Sequence, residues 1–365
     1  MLSPYALTRP GGVQGQVLGL SRALRRLGHE VTVLGPADPG ESGADPDVFV
    51  IGPARGVRSN GSVAPVTVSP VAAWRAVRFV RLGAFDVLHL HEPLAPIAGY
   101  GFMLRPRVPM VGTYHRAGVS RWVPVLRPLV ELVGRRMQVR VAVSEAARET
   151  AMQSSPGTYE LLFNGVDMDA FATVDPVPSD HPTVLFLGRH ETRKGLGVLL
   201  DAFAQLHRPA VLWVASDGPQ TEVQQRRYPE SDRVKWLGRL RDDERDARLL
   251  GADVLCAPSL GGESFGMVLL EGMAARCAVV ASDLPGYRAA AAGHAVLVPP
   301  GDRGALSRAL GTALADAVEG NGRSSNRALK SAEAHVREWS MDRLAVRYVE
   351  IYERAIRAGA RPARP

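Results

Sequence analysis

The sequence predicts an α/β protein of two Rossmann-like domains whose parallel sheets face each other across a cleft. Three observations predict it. Short β-branched runs alternate with amphipathic stretches, strand then helix, which calls for a parallel sheet covered on both faces. The alternation stalls once, at Asp175-Pro176-Val177-Pro178-Ser179, and then resumes. The length of 365 residues is too great for one compact core and suits two domains of roughly 100–200 residues.

Taken in order, Val13, Val17, Leu20, Leu24 and Leu27 recur in steps of four and three, the stripe of an amphipathic helix over 13–27. Only nine residues stand before Pro10, and Pro4 limits pairing there. The strand that should precede the first helix is therefore expected to be shortened or to begin upstream. A strand is expected at His29–Leu34, a Pro/Gly/Asp-rich loop at 35–47, and strands near Val48–Ile51 and Val66–Val68. A helix follows near Ala72–Leu82, then strands at Asp86–Leu90 and Met110–Gly112. A long helical region is expected from about Trp122 to Met137, then a strand at Val139–Val143. After the proline-rich break the expected strands are Thr183–Leu187, Val211–Ala215, Val234–Leu237, Val254–Ala257, Ala278–Ala281 and Ala295–Val298. A last helix is expected at Met341–Ala358, with Ser340 as its N-cap. The domains expected are 1–174, a linker at 175–180, 181–340, and a terminal segment 341–365 that packs back toward the first domain.

Composition excludes several classes. Apolar residues make up 46% and charged residues 22%, which excludes disorder and collagen-like repeats. No apolar run approaches the roughly 18 residues of a spanning helix. The first residues show neither the basic nor the apolar region of a signal peptide, so none is expected. Cys256 and Cys277 both sit in apolar runs and read as core side chains in a reducing compartment. The net charge of +7 is uneven: residues 1–170 carry 18 Arg against 13 acids, a balance of +5. Nine arginines lie between Arg105 and Arg148 against Glu131 and Glu145 alone. A basic first half suits an anionic partner. Neither zinc spacing nor an aromatic RNA-binding motif appears, so a phosphorylated small molecule or an anionic membrane is favoured over nucleic acid.

Two segments carry chemistry. Gly188-Arg189-His190-Glu191-Thr192-Arg193-Lys194-Gly195 follows a strand and opens a helix. Arg189 and Lys194 beside helix N-terminal amides suit a diphosphate, the first as a fork and the second as a point charge. Gly261-Gly262-Glu263-Ser264-Phe265-Gly266 follows another strand and leads into Met267-Val268-Leu269-Leu270-Glu271. Its glycines permit close backbone approach. Glu263 belongs to the loop and points at the ligand. Glu271, on an otherwise apolar helix start, needs a partner, and a ribose diol suits a carboxylate. Asp86, His89, His91 and Glu92 are a weak metal candidate: the alternation puts both histidines on one strand face, where a packed or hydrogen-bonded role is preferred. In Trp74–Arg81 the helical wheel groups Trp74, Arg75, Arg78 and Arg81 opposite Ala73, Ala76, Val77 and Val80, the pattern of a surface helix on anionic lipid. Arg116, Arg121 and Arg127, interleaved with Trp122, Val123 and Leu126, form a second basic region.

The chain resembles the retaining GT-B glycosyltransferases of family 4, and within them the actinobacterial phosphatidyl-myo-inositol mannosyltransferases that use GDP-mannose. The resemblance rests on Pro4-Tyr5, Pro10-Gly11-Gly12-Val13-Gln14, Phe85-Asp86-Val87-Leu88-His89-Leu90-His91-Glu92-Pro93, Thr113-Tyr114-His115, Asn164-Gly165-Val166-Asp167 and the two segments above. It implies that Arg189 and Lys194 neutralise the donor diphosphate and that Glu271 binds the ribose. Glu263 and the amides of Ser264, Phe265 and Gly266 would meet the transferred sugar. Gly11 and Gly12 would let acceptor and diphosphate approach the first helix, Tyr5 and Gln14 would contact the acceptor, and His115 would stand near the anomeric carbon. It implies same-face attack, with the departing phosphate helping to deprotonate the acceptor, and no metal or cofactor besides the nucleotide sugar. Expected partners are that donor and an anionic phospholipid or membrane surface, with no oligomer indicated. The expected place is the cytoplasm, peripheral on the inner face of the cell membrane.

The chain departs from the pattern at Arg276, where relatives carry a turn glycine, at Ala292, where an acid is usual, and in a diphosphate loop one residue shorter. Arg9 and Arg116 fall among expected acceptor contacts, which leaves the acceptor open to a different polyol, a glycosylated lipid or a soluble sugar phosphate. Two alternatives stand beside the lipid reaction. One is a family 4 enzyme using UDP-glucose, UDP-N-acetylglucosamine or another donor, with a soluble acceptor such as a sugar or inositol phosphate. The other is a non-catalytic sugar-nucleotide-binding scaffold. A dinucleotide oxidoreductase is disfavoured, because no Gly-x-Gly-x-x-Gly follows an opening strand.

Overall fold

The computed structural model describes residues 1–9, 11–38, 47–59, 62–95, 108–116, 118, 127–319 and 327–359. They form two units, Met1–Gly165 with Met341–Pro365, and Val166–Ser340.

The first unit contains α1 (Gly12–Arg26), β1 (Val33–Ala37), β2 (Val48–Pro53), β3 (Arg55–Ser59), β4 (Ser62–Val66), α2 (Pro70–Leu82), β5 (Leu88–His91), β6 (Met110–Tyr114), α3 (Arg127–Arg136), β7 (Val139–Ala142), α4 (Glu145–Ser154) and β8 (Glu160–Leu161). β1 pairs with β2, and β5-β6-β7-β8 form a second run; all these pairings are parallel. Leu2 joins the two runs by bridging both Leu34 and Leu90 in parallel. Its N–H donates to His89 O at 2.8 Å, and its own carbonyl accepts from His91 N–H at 2.9 Å. The first strand is thus reduced to a single bridging residue.

The stripe of α1 buries Val17, Leu20 and Leu24, each side chain contributing about 1.5–3 kcal/mol, while Leu27 at its end is exposed. The strand expected at His29–Leu34 starts later, at Val33. The residues before it serve other contacts: Arg25 caps through Val31 O, and Thr32 O accepts from the Met1 amino group at 2.7 Å. The strand expected at Val66–Val68 is instead the end of the antiparallel hairpin β3–β4. Ser69 beyond it caps α2 by accepting from Ala72 N–H. Of the helix expected over 122–137, the described part is α3; Arg121, Trp122, Val123 and Leu126 lie outside the described residues, as does Pro10.

The second unit contains α5 (Met168–Ala172), β9 (Thr183–Leu187), α6 (Leu196–Ala204), β10 (Val211–Ala215), α7 (Thr221–Arg227), β11 (Val234–Gly238), α8 (Asp242–Gly251), β12 (Val254–Ala257), α9 (Met267–Ala274), β13 (Ala278–Ser282), α10 (Pro285–Ala291), β14 (Val296–Val298), α11 (Arg303–Glu319) and α12 (Arg327–Arg337). Its parallel sheet has the order β11-β10-β9-β12-β13-β14. Leu196, Leu199, Leu200 and Phe203 of α6, with Leu306, Leu310 and Leu314 of α11, pack on Val184, Leu212, Val214 and Val254 of the sheet. The chain order reverses between β9 and β12, so the carboxyl ends of these two strands flank the crevice where such sheets take ligands.

The final helix, α13 (Met341–Gly359), returns to the first unit and packs Leu344, Ala345, Tyr348 and Ile351 around Leu20 and Leu24 of α1. The boundary at Gly165/Val166 falls ten residues before the linker expected at 175–180. Residues past Val166 are committed to the second unit: Val166 N–H bonds Trp339 O at 2.9 Å, and Val177 N–H bonds Ala247 O at 3.0 Å.

Arg276 follows α9 with φ 58°, the left-handed conformation expected at that turn. Arg276 N–H bonds Met273 O and Cys277 N–H bonds Gly272 O, a Schellman closure that normally takes glycine. The arginine offsets part of the strain by pairing with Glu333 at 2.5 Å. Ala292 also closes its helix left-handed, at φ 44°. Arg276→Gly is expected to be more stable than Arg276→Ala by about 1 kcal/mol, since both lose the ion pair and only glycine escapes the strain. Urea midpoints of the two variants check this; an alanine variant as stable as the glycine one would show that the turn is unstrained.

Candidate active site

The loop after β9 ends in a 3₁₀ turn, Thr192–Lys194, and in Gly195 at φ 71°, the N-cap of α6. A Cβ on Gly195 would lie 1.9 Å from Pro258 O, so glycine lets this loop close against the one after β12. That second loop ends in Gly266 at φ 93°, where a Cβ would stand 2.5 Å from the Tyr287 ring. The first contact brings the two loops together, and the second seats the β12 loop on α10.

Between them runs a chain of charges. Arg189 lies 3.1 Å and Arg193 3.0 Å from the carboxylate of Glu191. Arg193 reaches on to Glu263 Oε1 at 3.2 Å, and Lys194 Nζ reaches the same oxygen at 2.6 Å. Ser259 Oγ donates to it too, at 3.0 Å, and shares a hydrogen bond with the Tyr287 hydroxyl at 2.9 Å. All three donors meet Oε1, so Oε2 is left for another donor. Burial alone would raise the Glu263 carboxyl, but the Lys194 ammonium and Arg193 guanidinium hold it below the usual carboxylate range. Three cations against two carboxylates leave net positive charge at the strand ends, beside the α6 amides, a setting that suits an anion.

The sequence singled out Arg189, Lys194 and Glu263, and the structure brings them together. It missed Glu191, Arg193, Ser259 and Tyr287. The i, i+2 alternation of Arg189, Glu191 and Arg193 was a readable signal; Ser259 and Tyr287 meet through tertiary structure alone. Phe265 turns its side chain into the interior against Trp339, ring centroids 6.5 Å apart, so that side chain is committed to packing. Glu271 lies half-buried on α9. Burial raises its carboxyl, the Arg245 guanidinium opposes this, and Asp246 and Asp242 add to the rise. Arg245 acts on Glu271 through its charge alone and forms its own ion pairs with Asp242 and Asp246.

In the first unit, Gly11 is the extended N-cap of α1, and a Cβ there would strike Gln14 Oε1 at 2.4 Å. Gln14 Nε2 donates to Ala6 O at 3.3 Å, and Gly12 faces open space. Tyr5 pairs with Val66; burial raises its phenol, the Glu92 charge adds to this and Arg116 opposes it. Arg9 is bound to Asp38 at 2.7 Å. His115, just past β6, is buried, and its N–H donates to Glu92 Oε2 at 3.0 Å. Glu92 is strained at φ 48°. Tyr5, Glu92, His115 and Arg116 therefore form one group, with Gln14 turned to the backbone beside it. His89 and His91 share a face, ring centroids 4.1 Å apart. His89 is hydrogen-bonded on both nitrogens, to Tyr352 OH at 2.8 Å and Thr113 Oγ1 at 2.7 Å. Among the described residues no group of three or more His, Cys, Asp or Glu side chains is placed to hold a metal ion.

On α2, Ala72, Ala76 and Val80 are buried while Trp74, Arg75, Arg78 and Arg81 face water. Val71 and Leu82 join them at 57% and 76% exposure, and Arg78 lies over the Trp74 ring at 5.4 Å. Among the described residues no helix is long and apolar enough to cross a membrane.

Two Rossmann-like units, with cations gathered at the switch point of the second, define a protein of the GT-B fold. Comparison with known proteins carries this further. Residues 10–170 match the model of Glycosyltransferase Family 4, and residues 181–316 match that of Glycosyl transferases group 1. The chain is 37% identical to the phosphatidyl-myo-inositol mannosyltransferase of Mycobacterium tuberculosis, over 99% of this chain and 98% of that one. It is 29% identical to the D-inositol 3-phosphate glycosyltransferase of Xylanimonas cellulosilytica, over 97% and 94%. Its fold matches Anabaena Alr3699/HepE in complex with UDP and glucose, with TM-score 0.72 and 19% identity over 96% and 98% of the chains. The chain belongs to glycosyltransferase family 4, and it is a hexosyltransferase.

Proposed function

We propose that the chain transfers mannose from GDP-mannose to a phosphatidyl-myo-inositol-type lipid, with retention at the anomeric carbon. The observation that carries this reading is the 37% identity to phosphatidyl-myo-inositol mannosyltransferases, which covers 99% of this chain and so takes in both units.

In this reading Arg189 and Lys194 bind the donor diphosphate, Glu271 accepts from the ribose hydroxyls, and Glu263 Oε2 accepts from a hydroxyl of the transferred sugar. The backbone of Ser264, Phe265 and Gly266 lines the sugar. Gly12 borders the diphosphate, Tyr5, Gly11 and Gln14 line the acceptor, and His115 stands by the reacting carbon. The bond from C1 to the phosphate oxygen breaks and its electron pair leaves with GDP. The acceptor oxygen forms the new bond on the same face, and its proton passes to the departing phosphate. Arg189, Lys194 and the α6 amides favour the transition state because negative charge grows there. Glu263 stays ionised beside Lys194 and stabilises the positive charge that develops on the ring.

The enzyme works peripherally on the inner face of the cell membrane, and α2 supplies the contact, with Val71, Trp74 and Leu82 among Arg75, Arg78 and Arg81. Reversing these three arginines to glutamate is expected to lower partition onto phosphatidylinositol vesicles by about 100-fold or more, at roughly 1 kcal/mol for each basic residue near an anionic surface. GDP binding is expected to stay the same. Sedimentation with vesicles reads the effect, and unchanged partition would reject α2 as the membrane face.

The test is a panel of nucleotide sugars with and without phosphatidylinositol vesicles, with products resolved by mass spectrometry. Mannose on the lipid supports the proposal. The 29% identity to a D-inositol 3-phosphate glycosyltransferase favours one alternative, a soluble inositol phosphate acceptor. Transfer only to such an acceptor would replace the lipid reading, and failure of every donor would leave a binding scaffold.

A further inference from the structure

Among the described residues, two imidazole nitrogens of the first unit are buried with no hydrogen-bond partner, His91 Nε2 and His115 Nδ1. Their other nitrogens meet each other, His91 Nδ1 and His115 Nε2 lying 3.0 Å apart. The rings lie edge to edge, with centroids 5.3 Å apart and planes 22° from parallel. Each ring is fixed from behind. His91 ends β5 and packs against His89, which is itself tied to Thr113 and Tyr352. Thr113 is tied in turn to Tyr348 OH at 2.8 Å. His115 is held through its backbone by Glu92.

One hydrogen lies between the two facing nitrogens, which allows two arrangements. If His115 donates, both rings are Nε2–H tautomers, the form that histidine favours in water. If His91 donates, both rings must be Nδ1–H, the less favoured form. Burial keeps the pair neutral, pushing His115 down to about 3 and His91 well below its ordinary value, so a doubly protonated ring is not in play.

We infer that His91 is a positioning residue that holds His115 as its Nε2–H tautomer, leaving His115 Nδ1 a bare acceptor for a substrate hydroxyl. The ligand class is a polyol or sugar, because a hydroxyl can give its proton to this one unpartnered acceptor while the pair stays neutral. This deepens the proposed function and rests on its placement of His115 beside the reacting carbon. A hydroxyl bound at Nδ1 is fixed in direction, while its oxygen keeps its lone pairs.

The test compares His91→Phe, which keeps the bulk but not the hydrogen bond, with His91→Asn, whose amide replaces the Nδ1 edge. Nitrogen-15 spectra of the histidine-labelled full chain without ligand read the tautomer, His115→Gln identifying the signals. In wild type and His91→Asn, His115 Nδ1 should appear as an unprotonated ring nitrogen and Nε2 as a protonated one. In His91→Phe the two signals should move toward each other as the tautomers mix. With GDP-mannose and phosphatidylinositol vesicles, or whichever substrates the panel identifies, kcat should fall roughly 10- to 100-fold in His91→Phe, the scale of one lost buried hydrogen bond. The donor KM should change little, and His91→Asn should recover most of the rate. A protonated Nδ1 in wild type overturns the tautomer, and unmoved His115 signals in His91→Phe overturn the positioning role. Spectra as expected with full turnover in His91→Phe would uphold the pair and overturn its part in the reaction, and with it the placement of His115.

Discussion

Replacing Lys194 with alanine lowers turnover by about 10²–10³-fold in a folded chain, the scale of losing one group aimed at developing charge in a site shielded from water. The ammonium is largely withdrawn from solvent, 21% exposed, and lies 2.6 Å from Glu263 Oε1. It stands between a carboxylate and the proposed diphosphate. Its loss removes charge neutralisation from the leaving group and the closest partner from Glu263. Arg193 and Ser259 still hold that oxygen, so the loop keeps its course and the melting temperature moves little. Because the cations hold Glu263 below the usual range, its ionised form persists into acid in the wild type. Without Lys194, burial raises the carboxyl and the acidic limb of the pH–rate profile moves to higher pH. Steady-state kinetics over a pH series measures both effects, with kcat falling more than KM rises. Wild-type turnover in this variant removes Lys194 from the site.

The second large effect comes from one methyl group. Gly195→Ala places a Cβ 1.9 Å from Pro258 O and 2.8 Å from the carbonyl carbon, at φ 71°. The obstacle is backbone, so no side chain can swing aside. The left-handed conformation costs about 1 kcal/mol and the overlap about 1–3 more, for a total of about 3 kcal/mol. For a unit of this size that lowers Tm by roughly 6–12 °C. Gly238→Ala is the control: φ is 64° there, nothing lies within 4 Å of the added carbon, and only the conformational cost applies. The difference between the two melting temperatures isolates the collision. Gly195→Ala also moves Arg193 and Lys194 away from Glu263, so turnover falls with stability. Equal melting temperatures for the two variants would mean that the loops can part at no cost.

The second unit was legible because its central strands are buried almost throughout and read as short apolar runs: the expected strands at Thr183–Leu187, Val211–Ala215 and Val254–Ala257 are those observed. The first unit was harder. Its hairpin β3–β4 is rich in Gly, Arg and Ser and carries no apolar alternation, so nothing marked it as a strand pair. Its first strand is one residue long, below any periodicity. Arg276 was legible as a misplaced side chain in a glycine turn, but its pairing with Glu333, 57 residues on, was not. The site divides the same way. Arg189, Lys194, Glu263 and Glu271 stand out because charge beside a helix start in an apolar context needs a reason. Ser259, Tyr287 and His91 do not, because a hydroxyl or an imidazole at a strand end fits packing equally well. Only geometry shows that Ser259 and Tyr287 meet at Glu263 and that His91 faces His115.

The discontinuity of the first unit bears on the order in which the protein is made. A ribosome that has released residues 1–340 holds a complete second unit, Val166–Ser340, and a first unit without its last helix. Leu20, Leu24, Val111 and Val141 then lack the cover that Leu344, Tyr348 and Ile351 later supply. The unit synthesised first therefore finishes folding last, and until it does its nascent chain shows apolar surface of the kind that chaperones bind. His89 and Thr113 wait as well, since their tyrosine partners, Tyr352 and Tyr348, arrive with that helix. The polar file behind the two facing histidines is thus closed by residues translated after the whole second unit, so a chain cut short within α13 retains the second unit's loops and loses the support of the first unit's site.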